Sequence, residues 1–368
     1  MKLRYKFGIG FLAVIALGLT ALAIAMSYES ECPPPATTPA GANTMKAIQY
    51  HCYGSPVVLR LENVEKPTIA DDQILVKVHA ASANPLDWHY VRGEPYIMRL
   101  FVGFGAPKDP RLGVDFAGTV EAVGPRVTRF NPGDEVFGGA GGAFAEYIKV
   151  SERRGVALKP DNISFEHAAA VGVAGITALQ GLRDHGRLQP GHKVLINGAS
   201  GGVGTFAVQI AKSMGAEVTG VCSGRNVDMV RSLGADHVID YSKENFTELD
   251  QRYDVILDNV GNHPLGDLRR ALEPEGTLVI VGTSSTGDFV GPLWRPLIAR
   301  MMDPFVSQNF ENFMAQFNYE DLNVLAGLMR KNEMRPVIDR IYPLSEVPDA
   351  IRYSETGHAR AKIVIEVR

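Results

Sequence analysis

The segment Gly191-His-Lys-Val-Leu195-Ile-Asn-Gly-Ala199-Ser-Gly201-Gly202-Val-Gly204 confines this chain more than any other. It reads as an apolar strand that runs into a glycine-rich turn and then into a helix starting near Val203, with Gln209 and Lys212 further along. Such a helix start leaves unpaired N–H groups and the positive end of the helix dipole facing outward, where they suit a phosphate. Glycine at 201, 202 and 204 lets the backbone approach a pyrophosphate and lets the helix lie close to the strand. Ser200, Gly201, Gly202, Val203 and Gly204 are therefore candidates for gripping a dinucleotide.

The end of the next strand selects between coenzymes. An Asp or Glu about 20 residues past the glycines would bind both ribose hydroxyls and repel a 2′-phosphate. This strand ends Val221-Cys222-Ser223-Gly224-Arg225-Asn226, without a carboxylate. Ser223 supplies a hydroxyl, and Arg225 can form bidentate hydrogen bonds to a phosphate. NADPH is preferred to NADH on this reading; the plainer alternative is a solvated Arg225 that opens the next helix.

From Ser164 onward apolar strands alternate with amphipathic helices. Lys193 to Asn197, Glu217 to Cys222, His237 to Asp240, Val255 to Asp258 and Thr277 to Val281 read as buried parallel strands. Helices are expected at Val203 to Met214, Val227 to Leu233 and Leu265 to Leu272, giving a doubly wound sheet. Before it, short runs at Lys46 to Tyr50, Gln73 to Ala80, Gly118 to Val123, Glu135 to Phe137 and Phe144 to Val150 suggest a turn-rich, mostly antiparallel sheet. Pro292 onward is expected to be helical, closing with Ala361 to Val367, a strand that should rejoin the first sheet.

Thirty-seven basic against 41 acidic residues leave a net charge of −4, and no basic run follows the first six residues. A nucleic-acid groove is thus disfavoured. Cys32, Cys52 and Cys222 are too few and too scattered for a disulfide framework, so packing alone is expected to hold the fold. Residues 1–26 form a separate object: Lys2, Arg4 and Lys6 precede an uncharged run from Phe7 to Met26, long enough to span a bilayer. An anchor helix is expected, with a cleaved signal peptide as the alternative. Ser27 to Thr44, rich in proline, reads as a polar linker without a core. The flanking charges place the folded part opposite the cytoplasm, whereas NADPH is cytosolic; the sequence leaves both faces open.

These segments resemble the quinone oxidoreductase (zeta-crystallin) branch of the medium-chain dehydrogenase/reductase superfamily. The likeness rests on Gly191 to Lys212 together with Ala83-Asn84-Pro85-Leu86-Asp87, Gly113-Val-Asp115-Phe-Ala-Gly118, Asn131-Pro-Gly-Asp134-Glu-Val-Phe, Ala174-Gly-Ile-Thr177-Ala and Leu233-Gly-Ala-Asp236. It implies an α/β architecture: a GroES-like partial β-barrel catalytic domain over 45–165, a Rossmann domain over 166–300, and a C-terminal segment, 301–368, that completes the barrel. It also implies a homodimer that moves a hydride from NADPH to a quinone or an α,β-unsaturated carbonyl compound. The superfamily's zinc enzymes carry metal ligands where this chain has Asn84, Val114 and Val171, so no metal site is expected.

Without a metal, hydrogen-bond donors must stabilise the oxyanion that forms on the acceptor. The resemblance puts Asn84 and Asp87 in the cleft, with His89 and Tyr90 as possible proton relays. It gives Thr177 a nicotinamide contact and Tyr241 a place on the adenosine-phosphate side. Asn259, Val260, Gly261 and Gly282 fall at carboxyl ends of strands, where such sheets bind ligands. Phe305 to Asn309 is a further candidate for the substrate cleft. Ala361 stands where the family has glycine, so Lys362 is given no role. Two rival functions stay open: a metal-free alcohol or aldehyde oxidoreductase, and an NADPH-binding regulator with little turnover.

Overall fold

The computed structural model describes residues 17, 18, 20–34, 43–282, 291–302 and 306–367. Two sheets organise them. The first in the chain is antiparallel apart from one pair and uses β3 (Gln73–Ala83), β4 (Asp115–Val123), β5 (Glu135–Gly139), β6 (Tyr147–Ser151) and β7 (Val156–Leu158). Its remaining strands, β14 (Ile338–Pro343) and β15 (Lys362–Glu366), come from the far end of the chain. β15 pairs antiparallel with β3, Ile363 opposite Ala83 and Glu366 opposite Ala80, so the C-terminal run rejoins the first sheet as its apolar character required. Beside them β1 (Thr44–Gln49) and β2 (Arg60–Glu65) form a separate antiparallel pair.

The second sheet is wholly parallel, in the order β10-β9-β8-β11-β12-β13. Its strands are β8 (Lys193–Asn197), β9 (Glu217–Cys222), β10 (His237–Asp240), β11 (Tyr253–Asp258), β12 (Leu272–Ile280) and β13 (Asn309–Asn312). Helices cover both faces, and so Val194 to Asn197 are all buried. The order reverses between β8 and β11, which opens a crevice at their carboxyl ends.

Six helices matter for the site: α1 (Pro85–Arg92), α2 (Gly172–Gln180), α3 (Gly202–Ser213), α4 (Val227–Ser232), α5 (Leu265–Arg270) and α6 (Gly291–Met302). α3 is buried continuously from Gly204 to Ala211 because it lies between its own sheet and α2. Gln209, polar within that burial, is satisfied by Thr205 and by Arg335: its Nε2 donates to both carbonyls at 2.9 and 3.0 Å, and its Oε1 accepts the Arg335 N–H at 2.8 Å. One apolar core runs through both sheets, joining Ala80, Ala117 and Phe137 to Val194, Phe206 and Leu257.

Several expectations need correction. Cys32 and Cys52 form a disulfide, so packing does not act alone. Sparse cysteines hid it because the partners, 20 residues apart, meet only through the tertiary fold. Residues 27–34 of the expected linker are nowhere buried yet touch the fold: Arg60 donates to the Pro33 carbonyl at 2.9 Å, and Glu29 bridges Gly105. β13 lies in a segment expected to be helical; Asn309-Phe310-Glu311-Asn312 has one apolar residue, and main-chain pairing with β12 makes it an edge strand. Most of the expected anchor lies outside the described residues, and among these no helix is long and apolar enough to cross a membrane. Phe305 also lies outside them.

Ala361, just before β15, has φ +67°, the left-handed conformation that favours glycine. The sequence already marked it as a departure, and the backbone gives the reason. Ala361→Gly should leave stability to chemical denaturation unchanged or raised, whereas Ala361→Val should lower it by about 2 kcal/mol. Equal losses for both would show that methyl packing governs the position instead.

Candidate active site

Residue order alone starts α1. Asn84 is extended, as a residue before proline must be (φ −127°, ψ 157°), and Pro85 opens the helix. The Asp87 Oδ2 accepts the Asn84 N–H at 2.7 Å, which caps the first turn. Gly93 ends it with φ +62°. This cap brings Asp87 into the interior, fully buried, with Oδ1 lacking a partner among the described residues. Burial pushes its carboxyl up to about 7, against the opposing pull of the Asn84 and Gly113 N–H groups.

Asn84 is engaged on every side. Its Nδ2 donates to Asp115 Oδ2 at 3.0 Å, while its Oδ1 accepts from Lys362 Nζ at 2.7 Å. Lys362 is 2% exposed and also reaches Asp115 Oδ2 at 3.2 Å. Asp115, fully buried, accepts further from the Ser82 hydroxyl at 3.0 Å and, through Oδ1, from the Val173 N–H at 2.7 Å. Both oxygens of this buried carboxyl group are thereby satisfied by donors. Lys362 was given no role from the sequence, yet it joins β15, β4 and the start of α1. The available signal was a lysine opening one apolar strand and an aspartate opening another.

His89 and Tyr90 sit on the same helix. Glu94 offers only a carbonyl, at 2.8 Å, so His89 Nδ1 must carry the proton and Nε2 is an acceptor. Burial lowers the ring's pKa, which favours this neutral form. Tyr90 is pushed the other way by burial and by Asp87, and its phenol keeps its proton. Of the pair, Tyr90 is the donor.

The glycine turn meets the steric demand seen in the sequence. A Cβ on Gly204 would lie 2.1 Å from the Gly198 carbonyl oxygen, so only glycine lets α3 start so close to β8. On Gly202 it would touch Lys362 Cδ at 3.3 Å, and Ala361 N–H donates to Ser200 O at 2.9 Å. The α3 N-terminus, Lys362 and Asn84 thus lie in one neighbourhood. Val203 follows Gly202 in the first turn of α3 and packs at the core's edge. Asn226, missed from the sequence, ties the turn to the next strand: its Nδ2 reaches both Ser200 Oγ and Ser223 Oγ at 3.1 Å, and its buried Oδ1 has no partner among the described residues.

Arg225 projects at the end of β9 and donates to the His358 carbonyl at 3.1 Å. Tyr241, 61% exposed, follows β10 and donates its N–H to Cys222 O at 3.1 Å. Thr177 donates to its own helix at Val173 O, 2.7 Å, and keeps only acceptor capacity. Asn259 is likewise engaged, its Nδ2 on Asn197 O at 3.1 Å. The Gly261 N–H binds Asp258 Oδ1 at 2.9 Å, and the Val260 N–H points to the same oxygen at 3.3 Å. Gly282 passes so near Asn259 that a Cβ would lie 1.9 Å from its carbonyl oxygen. Among the described residues no group of three or more His, Cys, Asp or Glu side chains could hold a metal.

Two outcomes test this arrangement. Lys362→Met strands Asp115 in the interior and should cost about 3–5 kcal/mol of stability, part of which Asp115→Asn restores in the double variant. Simple additivity of the two losses would deny the pairing. Asp87, raised to about 7 from an unfolded value near ~4, supports the fold in its protonated form; that support is complete below about pH 4 and fades as pH rises through about 7. The stability of Asp87→Asn relative to the parent should therefore grow over this window and level off above it. A pH-independent difference would show that Asp87 titrates normally.

Comparison with known proteins agrees with the geometry. Residues 70–161 match the alcohol dehydrogenase GroES-like domain, and residues 233–365 match a family described as zinc-binding dehydrogenase. The chain is 35% identical to 2-methylene-furan-3-one reductase of Solanum lycopersicum over 94% of its length and 84% of that protein. It is 34% identical to the chloroplastic NADPH-dependent alkenal/one oxidoreductase of Arabidopsis thaliana, covering 87% and 79% of the two chains. A quinone oxidoreductase structure from Coxiella burnetii superposes with a TM-score of 0.76 at 33% identity, covering 88% of this chain and all of that one. With a parallel sheet entered at a glycine turn and a first sheet joined by the chain's own C-terminal strand, the chain belongs to the medium-chain dehydrogenase/reductase superfamily, in its quinone oxidoreductase branch.

Proposed function

We propose that the protein is an NADPH-dependent reductase of quinones or α,β-unsaturated carbonyl compounds that works without zinc. The observation that carries this reading is the α3 N-terminus behind a turn where Gly204 cannot bear a side chain, with Arg225 at the end of the next strand. Ser200, Gly201, Gly202 and Val203 would hold the pyrophosphate of the coenzyme, with the aliphatic stem of Lys362 packed beside Gly202. Ser223, Arg225 and Tyr241 would hold the adenosine end and its 2′-phosphate. Thr177, Val260 and Gly282 would border the nicotinamide, with Asn259 shaping the loop.

Reduced nicotinamide bound there would supply a hydride to the acceptor. The chain's part is to orient that acceptor and to stabilise charge on its oxygen. Tyr90, with its proton retained, suits the oxyanion; neutral His89, an acceptor at Nε2, suits relay of the replacement proton. Asn84, whose amide is already engaged, holds Lys362 and Asp115 in place, and buried Asp87 acts through the helix it caps. Asn84, Val114 and Val171 offer no thiolate or imidazole where the zinc enzymes bind their metal, and this supports hydride transfer by hydrogen-bond donors alone. The names of the two plant relatives point to enone and alkenal acceptors. The uncharged run from Phe7 to Met26 supports a membrane tether, and dimer formation follows from the family resemblance.

Arg225→Asp tests the coenzyme assignment. Losing a charge-assisted contact worth about 1.5–3 kcal/mol should weaken NADPH by about tenfold to a hundredfold while NADH binding holds or improves. An unchanged ratio of the two affinities would refute the 2′-phosphate site. Absorbance at the nicotinamide band with quinones, enones and simple aldehydes tests the acceptor class, and turnover confined to aldehydes would overturn it.

A further inference from the structure

We propose that the Cys32–Cys52 bridge is a thiol–disulfide exchange site fastening a strap, residues 26–34, across the lobe that carries α1, and that opening it loosens this lobe without disturbing coenzyme binding. The strap is built into the catalytic half through one side chain. Arg99 is fully buried between the rings of Tyr53 and Tyr96, its guanidinium carbon 4.4 and 4.5 Å from their centroids. A guanidinium has five N–H donors, and all five are used here. Three go to the strap: Met26 O and Tyr28 O, each at 3.0 Å, and Glu29 Oε1 at 2.8 Å. The other two take Arg92 O at 3.1 Å and Gly93 O at 2.8 Å, at the C-terminal end of α1.

The same cation therefore holds the strap and the helix bearing Asp87, His89 and Tyr90. Removing the strap would leave a buried charge with two of five donors satisfied, a state the lobe can relieve only by rearranging. Neighbouring contacts extend the coupling. Ser30 N–H donates to Gly105 O at 2.9 Å, and a Cβ on Gly105 would meet Ser30 Oγ at 2.8 Å. Tyr53, next to Cys52, donates to Gly103 O at 2.8 Å, and Gly54 N–H donates to Val91 O at 3.0 Å. None of these contacts reaches the glycine turn.

The bridge is accessible from one side, since Cys32 is exposed and Cys52 is 2% exposed. A dithiol reductant would attack Cys32 Sγ as its thiolate, and Cys52 would leave as a thiolate. The reductant's second thiol then displaces Cys32 and closes the reductant's own disulfide. One S–S bond breaks and another forms; two electrons pass to the protein, and two protons make both cysteines thiols.

The test uses the full-length chain. After reduction with dithiothreitol, capping of the thiols and removal of reagent, hydrogen exchange should accelerate across residues 92–108 and stay unchanged across 198–206. Cys32→Ser, which alters only the exposed partner, should reproduce this pattern. If the acceptor-competent lobe falls to about a fifth of the population, the acceptor KM rises about fivefold, with NADPH affinity held within about twofold. Unaltered exchange at 92–108 with both thiols capped would overturn the proposal, as would a loss of NADPH affinity matching that of the acceptor. The kinetic arm rests on the proposed reductase function, whereas the exchange arm does not. Absence of turnover in both forms would count against that function, and the exchange rates at 92–108 would still decide for or against the strap.

Discussion

A buried ammonium ties the halves of this molecule together. Lys362 extends from the last strand to Asn84 at the mouth of α1 and to Asp115 in β4, and the other oxygen of Asp115 holds the start of α2. Charges so deep are tolerated only when paired and hydrogen-bonded, so each member fixes the others. One residue earlier, Ala361 bonds the glycine turn through Ser200. The glycine turn and α1 are thereby set relative to each other by two consecutive residues.

This joint explains a division of labour. The glycine turn is made of backbone, where close approach excludes a side chain at Gly204. Facing it in the proposed function are side chains on a short helix whose start is dictated by Asn84, Pro85 and Asp87. In the proposed function, backbone geometry would suit a constant phosphate, while side chains would suit an acceptor that varies. Burial then separates the protonation states along α1: His89 neutral, Tyr90 protonated, Asp87 near neutrality.

Legibility in the sequence followed the range of the interaction. Parallel strands from Lys193 to Ile280 were readable because burial on both faces forces unbroken apolar runs. The turn at Gly198 to Gly204 was readable because its demand is local. β13 was not, since an edge strand such as Asn309–Asn312 is specified by the neighbour it pairs with. The disulfide and the Arg99 socket were hidden for a similar reason: their partners are separated by 20 and about 70 residues. Lys362 was set aside because Ala361 replaces glycine, yet the chain keeps the left-handed turn regardless of the methyl group. For Asn84, Thr177 and Asn259 the sequence located the residues and not their partners, which only packing decides.

The apolar core shared by the two sheets has a thermodynamic consequence. Ala80, Ala117 and Phe137 from one lobe are in the same cluster as Val194, Phe206 and Leu257 from the other. Melting either lobe would expose part of the other's interior, although each also keeps a core of its own, around Ile74 and Phe116 in one and around Ile256 and Leu278 in the other. A fragment carrying just one of its sheets would therefore begin life with an open greasy face.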